Sequence, residues 1–459
     1  MEYPDSKLSH GTRISILITY IIIFLLLCPI LILYASGYRY DWQQGFPRRT
    51  GAISITVEPT DVKIYANNIE IPREVDVQTL SYKDEVRLTS APPGKYTIKI
   101  TKPGYYDWIK DVEVKEMQTV YIKEAILMKK NDPKKLDDGN ITASSLSPNN
   151  KFLAYAKATE DKTQIWLRDI DAGTNARILI FNDSAVTMAW NGKNDWLTVS
   201  NAKAPYDSLV IIPIDNIEKK IDLVKLIKYP IDKYQWKTTI EAELFFSTKL
   251  KLLSIFPATR KILTLSKNTF LDWSMEEGQL WTLTANTSTS KIIINKDTLG
   301  FKKEFNTLDN NPLGNEWNKT KILLATRDSI LLQDRAKMET LLINKAGRFN
   351  LGGDRALISE YGNWWLIWSP WELWSAVENE EPVLINRSGE QLRKVLPMDK
   401  YNALALVWAN NATILYPYYL VTHTFIETPI LDAGTDNINR IFYFSGNYKG
   451  QQGLWSLEY

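Results

Sequence analysis

The chain is poor in the residue types that build most reactive centres. It has one cysteine, Cys28, and two histidines, His10 and His423. A single cysteine excludes an intramolecular disulfide, an iron–sulfur cluster and a multi-cysteine zinc site within one copy. Two histidines are too few for a multi-histidine metal centre. Neither sign of charge dominates: 55 Lys plus Arg stand against 53 Asp plus Glu, a formal net charge of +2. That balance gives no electrostatic reason to expect nucleic acid as a partner. Gly-x-Gly-x-x-Gly, phosphate-loop and Gly-x-Ser-x-Gly runs are also missing, so neither a dinucleotide fold nor a nucleophile elbow is signalled. The lone His423, in Thr422-His423-Thr424, reads as a strand side chain rather than a base. No catalytic residue, no cofactor and no metal is expected. Aromatic residues, by contrast, are abundant, with 16 Trp, 23 Tyr and 14 Phe. The 44% hydrophobic and 24% charged composition is that of a folded chain, and 459 residues imply two or three domains.

From Ile14 to Tyr38 no residue is charged, and the run is bounded by Arg13 and Arg39. As a helix it would be about 37 Å long, enough to cross a hydrocarbon core of roughly 30 Å. It has no polar face, as expected of a helix surrounded by lipid. A transmembrane helix over 14–38, preceded by a short tail over 1–13, is therefore predicted, and the lipid bilayer is a partner through 14–38. The competing reading is a cleaved secretory signal, with Ala35-Ser36-Gly37 as a small-residue site; signal cores are shorter, about 7–15 residues. Cys28 reads as an apolar helix residue, since Leu25-Leu26-Leu27 before it lacks the small residue of a lipidation site. Lys7 and Arg13 before the run and Arg39, Arg48 and Arg49 after it leave orientation undecided by charge. Tyr34, Tyr38, Tyr40 and Trp42 gather at its C-terminal end, as interfacial aromatics do.

Beyond Gly45-Phe46-Pro47 the hydrophobic period becomes two. Ile53, Ile55 and Val57 alternate with polar residues, as do Tyr96, Ile98 and Ile100, Val112 and Val114, and Val120 and Ile122. Short strands between Pro/Gly/Asn turns predict a small β-sandwich over 50–130. The run Ala91-Pro92-Pro93-Gly94-Lys95-Tyr96, continued by Lys102-Pro103-Gly104-Tyr105-Tyr106-Asp107-Trp108, resembles the end of a PEGA domain. Val57-Glu58-Pro59 through Asn67-Asn68 resembles its opening hairpin, with Asn-Asn in place of the usual Asn-Gly or Asp-Gly turn. The resemblance implies a β-sandwich carried by envelope proteins and no catalytic residues.

From Asn131 to Gly139 the chain reads as a polar linker. A degenerate repeat follows over 135–459. Ser147-Pro148-Asn149-Asn150-Lys151 and Trp190-Asn191-Gly192-Lys193 each precede a strand, with echoes at Trp236, Trp273, Trp317 and Trp408. Trp190 to Trp236 is 46 residues, Trp236 to Trp273 is 37, Trp273 to Trp317 is 44, and Trp317 to Trp408 is 91, about two periods. A period near 40–45 in β sequence predicts propeller blades of four strands. Gln164–Ile170 and Trp371–Ser375 read as third strands, and Ala176–Ile180 and Pro382–Ile385 as fourth strands. Seven blades are expected, with six and eight also compatible with the period, and the strand Gly453–Leu457 is expected to complete ring closure. The turns resemble those of TolB-type or WD-type propellers. The fold class is thus mainly β: a transmembrane helix, a PEGA-like sandwich, then a β-propeller. This order resembles a group of bacterial membrane proteins to which no activity is attached.

Three local patterns bear on function. Asp169–Asn175 resembles a calcium loop, but Gly173 falls one position early and Ile180 occupies the place of the closing Glu; a hairpin turn is the simpler reading. Asp432–Asp436 reads as the same kind of turn. Asp215–Lys228 reads as a short helix between blades or as a strand with Lys at its edge, with a solvated charged face. Trp364, Trp365, Trp368, Trp371 and Trp374 crowd eleven residues. In a strand, Trp364 and Trp368 face one way and Trp365 the other. Trp364, Trp365, Trp368 and Trp371 are therefore the candidate binding surface, weighed against simple packing between blades.

The function expected from these readings is a non-catalytic, single-pass cell-membrane protein. Its propeller would lie outside the cytoplasm, as the family resemblance implies, and would bind envelope protein or glycan. The alternatives are a carboxylate-dependent glycan-active enzyme, with two acids converging in one pocket, and a purely structural subunit of an envelope assembly.

Overall fold

The structure is a computed structural model. It describes residues 10–459 apart from 42–44, 73–74, 77–80, 83–84, 161, 184, 194, 238–240, 269, 277–278, 287–290, 299–300, 309–319, 327, 335–338, 359–363, 378–379, 400–402 and 417–420. The chain forms two compact units, Met1–Lys130 and Asn131–Tyr459.

The first unit begins with an α-helix over His10–Ala35, with Pro29 inside it. Its 18-residue window of highest hydropathy carries none of its residues buried, so the apolar surface predicted from the sequence is present on all sides. The helix stops three residues short of the charge-free run. Gly37 has φ +81°, and the Ser36 and Gly37 amides bond back to Ile32 and Tyr34. A left-handed glycine ends the helix there, and the next residues form a hairpin in which Tyr38–Asp41 pairs with Phe46–Arg49.

Two sheets follow. One holds Trp108–Val114, Gly94–Thr101, Lys63–Ala66 and Ile69–Glu70; the other holds Thr119–Ile126, Gly51–Glu58 and Glu85–Ala91. The period-two residues fill the core, with Ile53, Ile55, Ile64, Ile98 and Ile100 fully buried. Asn67 and Asn68 both take positive φ, 50° and 67°. The Asn-Asn turn thus supplies the left-handed pair that a tight hairpin needs.

The second unit contains eight four-stranded antiparallel sheets in chain order. Their first strands are Ile141–Leu146, Val186–Trp190, Lys233–Trp236, Asp272–Glu276, Thr320–Ala325, Arg355–Ile358, Lys394–Pro397 and Ile430–Asp436; we number the blades 1–8 in that order. First strands lie against one another between blades 1 and 2, 4 and 5, 5 and 6, 7 and 8, and 8 and 1, and apolar clusters join blades 2 and 3, 3 and 4, and 6 and 7, so the ring is closed. Fourth strands such as Lys261–Ser266 are mostly exposed and form the rim. Apolar clusters fill the seams: Trp281, Leu283, Ile292 and Ile294 of blade 4 meet Ile322, Ile330 and Leu332 of blade 5, and Ala154, Ile165 and Leu167 of blade 1 meet Leu197 and Val199 of blade 2. The architecture is an eight-bladed β-propeller.

Two expectations change here. Eight blades replace the expected seven, because the tryptophans used to set the period are not equivalent. Trp190 and Trp236 end first strands, Trp273 is second in its strand, and Trp408 follows the second strand Leu404–Val407; Trp317 lies outside the described residues. Blade length also varies around the ring, from 48 residues between Asp272 and Thr320 to 35 between Thr320 and Arg355. The expected linker is also partly a strand. Lys134–Asp138 pairs with Gln451–Glu458 and supplies the outer strand of blade 8. Closure therefore joins the two ends of the unit, as the strand expected at 453–457 requires. Its charged residues suit an edge position, where they oppose pairing with other chains.

Candidate functional site

Among the described residues, two lysine–aspartate pairs join the first strands of neighbouring blades. Lys233, which opens its strand in blade 3, donates to both carboxylate oxygens of Asp272 in blade 4 at 3.0 and 3.1 Å, and to the Trp273 carbonyl. Asp272 Oδ2 also accepts the Ile322 amide of blade 5 at 2.7 Å. The same arrangement recurs four blades on. Lys394 of blade 7 donates to Asp432 Oδ1 of blade 8 at 2.8 Å and to the Ala433 carbonyl, and Asp432 Oδ2 accepts the Ser144 amide of blade 1 at 2.7 Å. Each clamp ties three consecutive blades together. A buried carboxylate such as Asp272, 4% exposed, is tolerable because a charge and an amide satisfy it.

Over the first clamp opens a cleft of about 600 Å³. It lies on the face where first strands begin and second strands end. Lys249 and Lys251 reach it from the turn between Leu244–Thr248 and Lys251–Phe256 of blade 3, and Lys321 from the first strand of blade 5. Lys321 donates to the Leu271 carbonyl at 3.3 Å. Lys249 and Lys251 are exposed, and neither ammonium has a hydrogen-bond or ion-pair partner among the described residues. Tyr206 and Tyr234 meet edge to face in the wall, with ring centroids 5.1 Å apart. Trp273 lies beneath Lys233, whose ammonium is 5.6 Å from the ring centroid. Asp232 is the second carboxylate in the lining. Burial pushes its carboxyl up from the ordinary value, against the pull of Lys249 and Lys321.

Chemically, the cleft presents cations, hydroxyls and aromatic surface. Both oxygens of Asp272 are taken by Lys233 and the Ile322 amide, which makes it part of the interblade clamp. Sequence reasoning missed these residues, although a signal exists: Lys233 and Asp272 are 39 residues apart, and Lys394 and Asp432 are 38 apart. Each separation is one blade.

The four tryptophans expected to form a binding surface do not lie together on one. Trp365 is 2% and Trp368 6% exposed. Trp368 and the half-buried Trp364 pack with Leu392, Val395 and Leu404 of blade 7. Trp365 faces the other way, onto Leu331 and Leu342 of blade 5. The alternation is as expected, but both faces of the strand are interblade seams, so the rings fill the taper. Trp371, in the turn before Glu372–Val377, is 51% exposed.

The acid-rich loops resolve differently from each other. Asp169–Asn175 is a hairpin in which the Asp169 carboxylate accepts the Ala172 amide. Asp432–Asp436, expected as a turn, belongs to the first strand Ile430–Asp436 of blade 8. Asp432 serves the clamp, and Asp436 caps the next turn through the Ile438 and Asn439 amides. Asp215–Lys228 contains both expected forms: a 3-10 turn over Ile217–Lys219, the short strand Ile221–Asp222 and a helix over Leu223–Ile227.

The PEGA domain family matches residues 85–129, within the first unit and inside the region singled out by sequence. No curated protein matches the chain in sequence. Among solved structures it is similar to the Dos1 propeller, at 12% identity, covering 71% of this chain and 94% of that one with a TM-score of 0.48. It is similar to a eukaryotic initiation factor at 10% identity, covering 75% and 88%, TM-score 0.46. It is also similar to the C-terminal WD40 domain of Sif2 at 10% identity, covering 71% and 97%, TM-score 0.43. The N-terminal apolar helix is a signal sequence or a single membrane anchor.

Proposed function

We propose that this chain is a non-catalytic binding protein of the cell envelope. The helix His10–Ala35 anchors it in the membrane, and the propeller holds a partner protein outside the cytoplasm. The observation that carries this reading is the saturation of Asp272 by Lys233 and the Ile322 amide. It leaves the propeller's cleft with cations and aromatic rings but no free pair of carboxylates. The PEGA match supports the envelope address, and the closed ring supplies a rigid surface for docking.

A glycan-active enzyme is the second reading, favoured by the presence of both Asp232 and Asp272 in one cleft. Glycoside hydrolysis needs one carboxyl able to give a proton and another free to act as base or nucleophile, and Asp272 is not free. The test is an assay of the full-length chain in lipid nanodiscs against envelope glycans, run beside Asp232→Asn. Binding without turnover supports the proposal. Turnover that Asp232→Asn abolishes contradicts it. Protease treatment of intact cells reads the address: digestion of the propeller agrees with external placement, and survival while external proteins are cut contradicts it.

A further inference from the structure

The two clamps provide an internal control for the charges around the cleft. Both consist of a lysine opening a first strand, an aspartate one blade on, and a backbone amide one blade further. That set is what the ring uses to tie three blades together. The surroundings of the two sets differ. Before the clamped amide stands Lys321 in the first clamp and Ala143 in the second. The turn between second and third strands carries Lys249 and Lys251 in blade 3, whereas in blade 7 the turn from Val407 to Asn411 is Trp408-Ala409-Asn410. Lys249, Lys251 and Lys321 are thus additional to the clamp, and all three line the cleft.

We infer that this cleft binds an acidic polypeptide segment, with glutamate or aspartate side chains meeting Lys249, Lys251 and Lys321. The inference rests on the binding function proposed above and gives it a ligand chemistry. Lys233 is neutralised by Asp272, which leaves three lysines facing Asp232. Burial acts against the ionised form of Asp232, so the surplus is cationic. Charges of one sign gathered in a cleft raise the local concentration of the opposite sign. The distribution of the lysines selects the ligand class. A phosphate is often held by an arginine fork, whereas the described lining carries lysines from blades 3 and 5 and no arginine. Carboxylates carried on several residues of one extended chain can meet lysines from both blades. The edge-to-face pair Tyr206 and Tyr234 gives the chain an amphipathic wall. The buried Trp273 Nε1, which has no hydrogen-bond partner among the described residues, lies in the same lining.

The test uses the full-length chain in neutral-lipid nanodiscs with a fluorescent octa-glutamate peptide, followed by polarisation. Octa-glutamate is expected to bind and octa-glutamine not to. Affinity should fall at least tenfold in Lys249→Glu/Lys251→Glu, less in Lys249→Gln/Lys251→Gln, and less than twofold in Lys261→Glu on the rim strand of the same blade. Raising the salt concentration should weaken binding in the wild type and hardly at all in the double glutamate variant. Thermal unfolding of the variants checks that these exposed substitutions leave the ring intact. Failure of octa-glutamate to bind, equal losses in Lys261→Glu, or tighter binding of tripolyphosphate than of the peptide would each overturn the assignment. Photocross-linking from position 249 detects a partner of any chemistry. An adduct there without octa-glutamate binding rejects the acidic ligand and leaves the binding function standing.

Discussion

Asp272→Ala is the sharpest test of how the ring is held. The side chain is 4% exposed and accepts Lys233 and the Ile322 amide. Truncation leaves the buried Ile322 amide unpaired, which costs about 1–3 kcal/mol. It also leaves Lys233, 29% exposed, without its counter-charge; breaking a fully buried pair costs about 3–5 kcal/mol. Lys233 keeps its bond to the Trp273 carbonyl and some contact with water, so the combined loss should be about 3 kcal/mol rather than the sum. Asp272→Asn keeps an acceptor for the Ile322 amide and should lose about half as much. The assay is hydrogen exchange, which reads local opening without assuming that the two units unfold together. A loss of about 3 kcal/mol lowers protection of the Ile322 amide by more than a hundredfold, since about 1.4 kcal/mol is a factor of ten. Amides of the seam between blades 6 and 7, such as Leu366 and Leu404, should change far less. Unchanged Ile322 protection, or an equal fall throughout the ring, would refute the clamp.

Other outcomes follow from the same geometry. Asp432→Ala should loosen blades 7, 8 and 1 and expose the Ser144 amide to exchange, because that aspartate occupies the equivalent place. Gly453→Val should open the closing strand: a Cβ there would lie 2.4 Å from the Asp137 carbonyl oxygen, and overpacking of this kind costs about 1–3 kcal/mol, read as earlier proteolysis near Lys134. Alkaline titration should unfold the propeller. Burial raises the hydroxyl of Tyr443 to about 12 and pushes Tyr155, Tyr416 and Tyr459 up as well. Groups whose folded pKa is raised contribute stability that is complete below about pH 10 and is lost as pH rises through the folded value; Tyr416→Phe should therefore flatten the fall in stability above pH 10. Deleting residues 10–35 should release the chain from membranes under carbonate extraction, whereas a mature N-terminus after Ser36 would show the helix to be a signal sequence.

Local chemistry made much of the fold legible in the sequence. Alternation at Ile53, Ile55 and Val57 placed a strand and its buried face, because a half-buried strand repeats every two residues. The Trp190-Asn191-Gly192-Lys193 turn was readable because the Asn191 side chain organises it, accepting the Trp196 amide and bonding Asp195. Blade number was harder to read. A seam needs a bulky ring somewhere, not at a fixed position, so Trp273 and Trp408 mark different strands. The closing strand Lys134–Asp138 was hidden because its partner, Gln451–Glu458, lies at the far end of the chain. The candidate site was least visible. Its lysines come from blades 3 and 5 and line one cleft only because both blades pack against blade 4. The tryptophan cluster drew attention by density, yet density in a propeller strand marks a seam as readily as a surface.

The account stands most directly on photocross-linking in intact cells carrying the full-length chain. A photoreactive residue replacing Lys249 should give a discrete adduct with one partner protein in the membrane fraction, while the same residue replacing Lys261 on the rim of that blade should give none. Absence of an adduct at 249, or the same adducts from both positions, would contradict a propeller that holds its partner in this cleft.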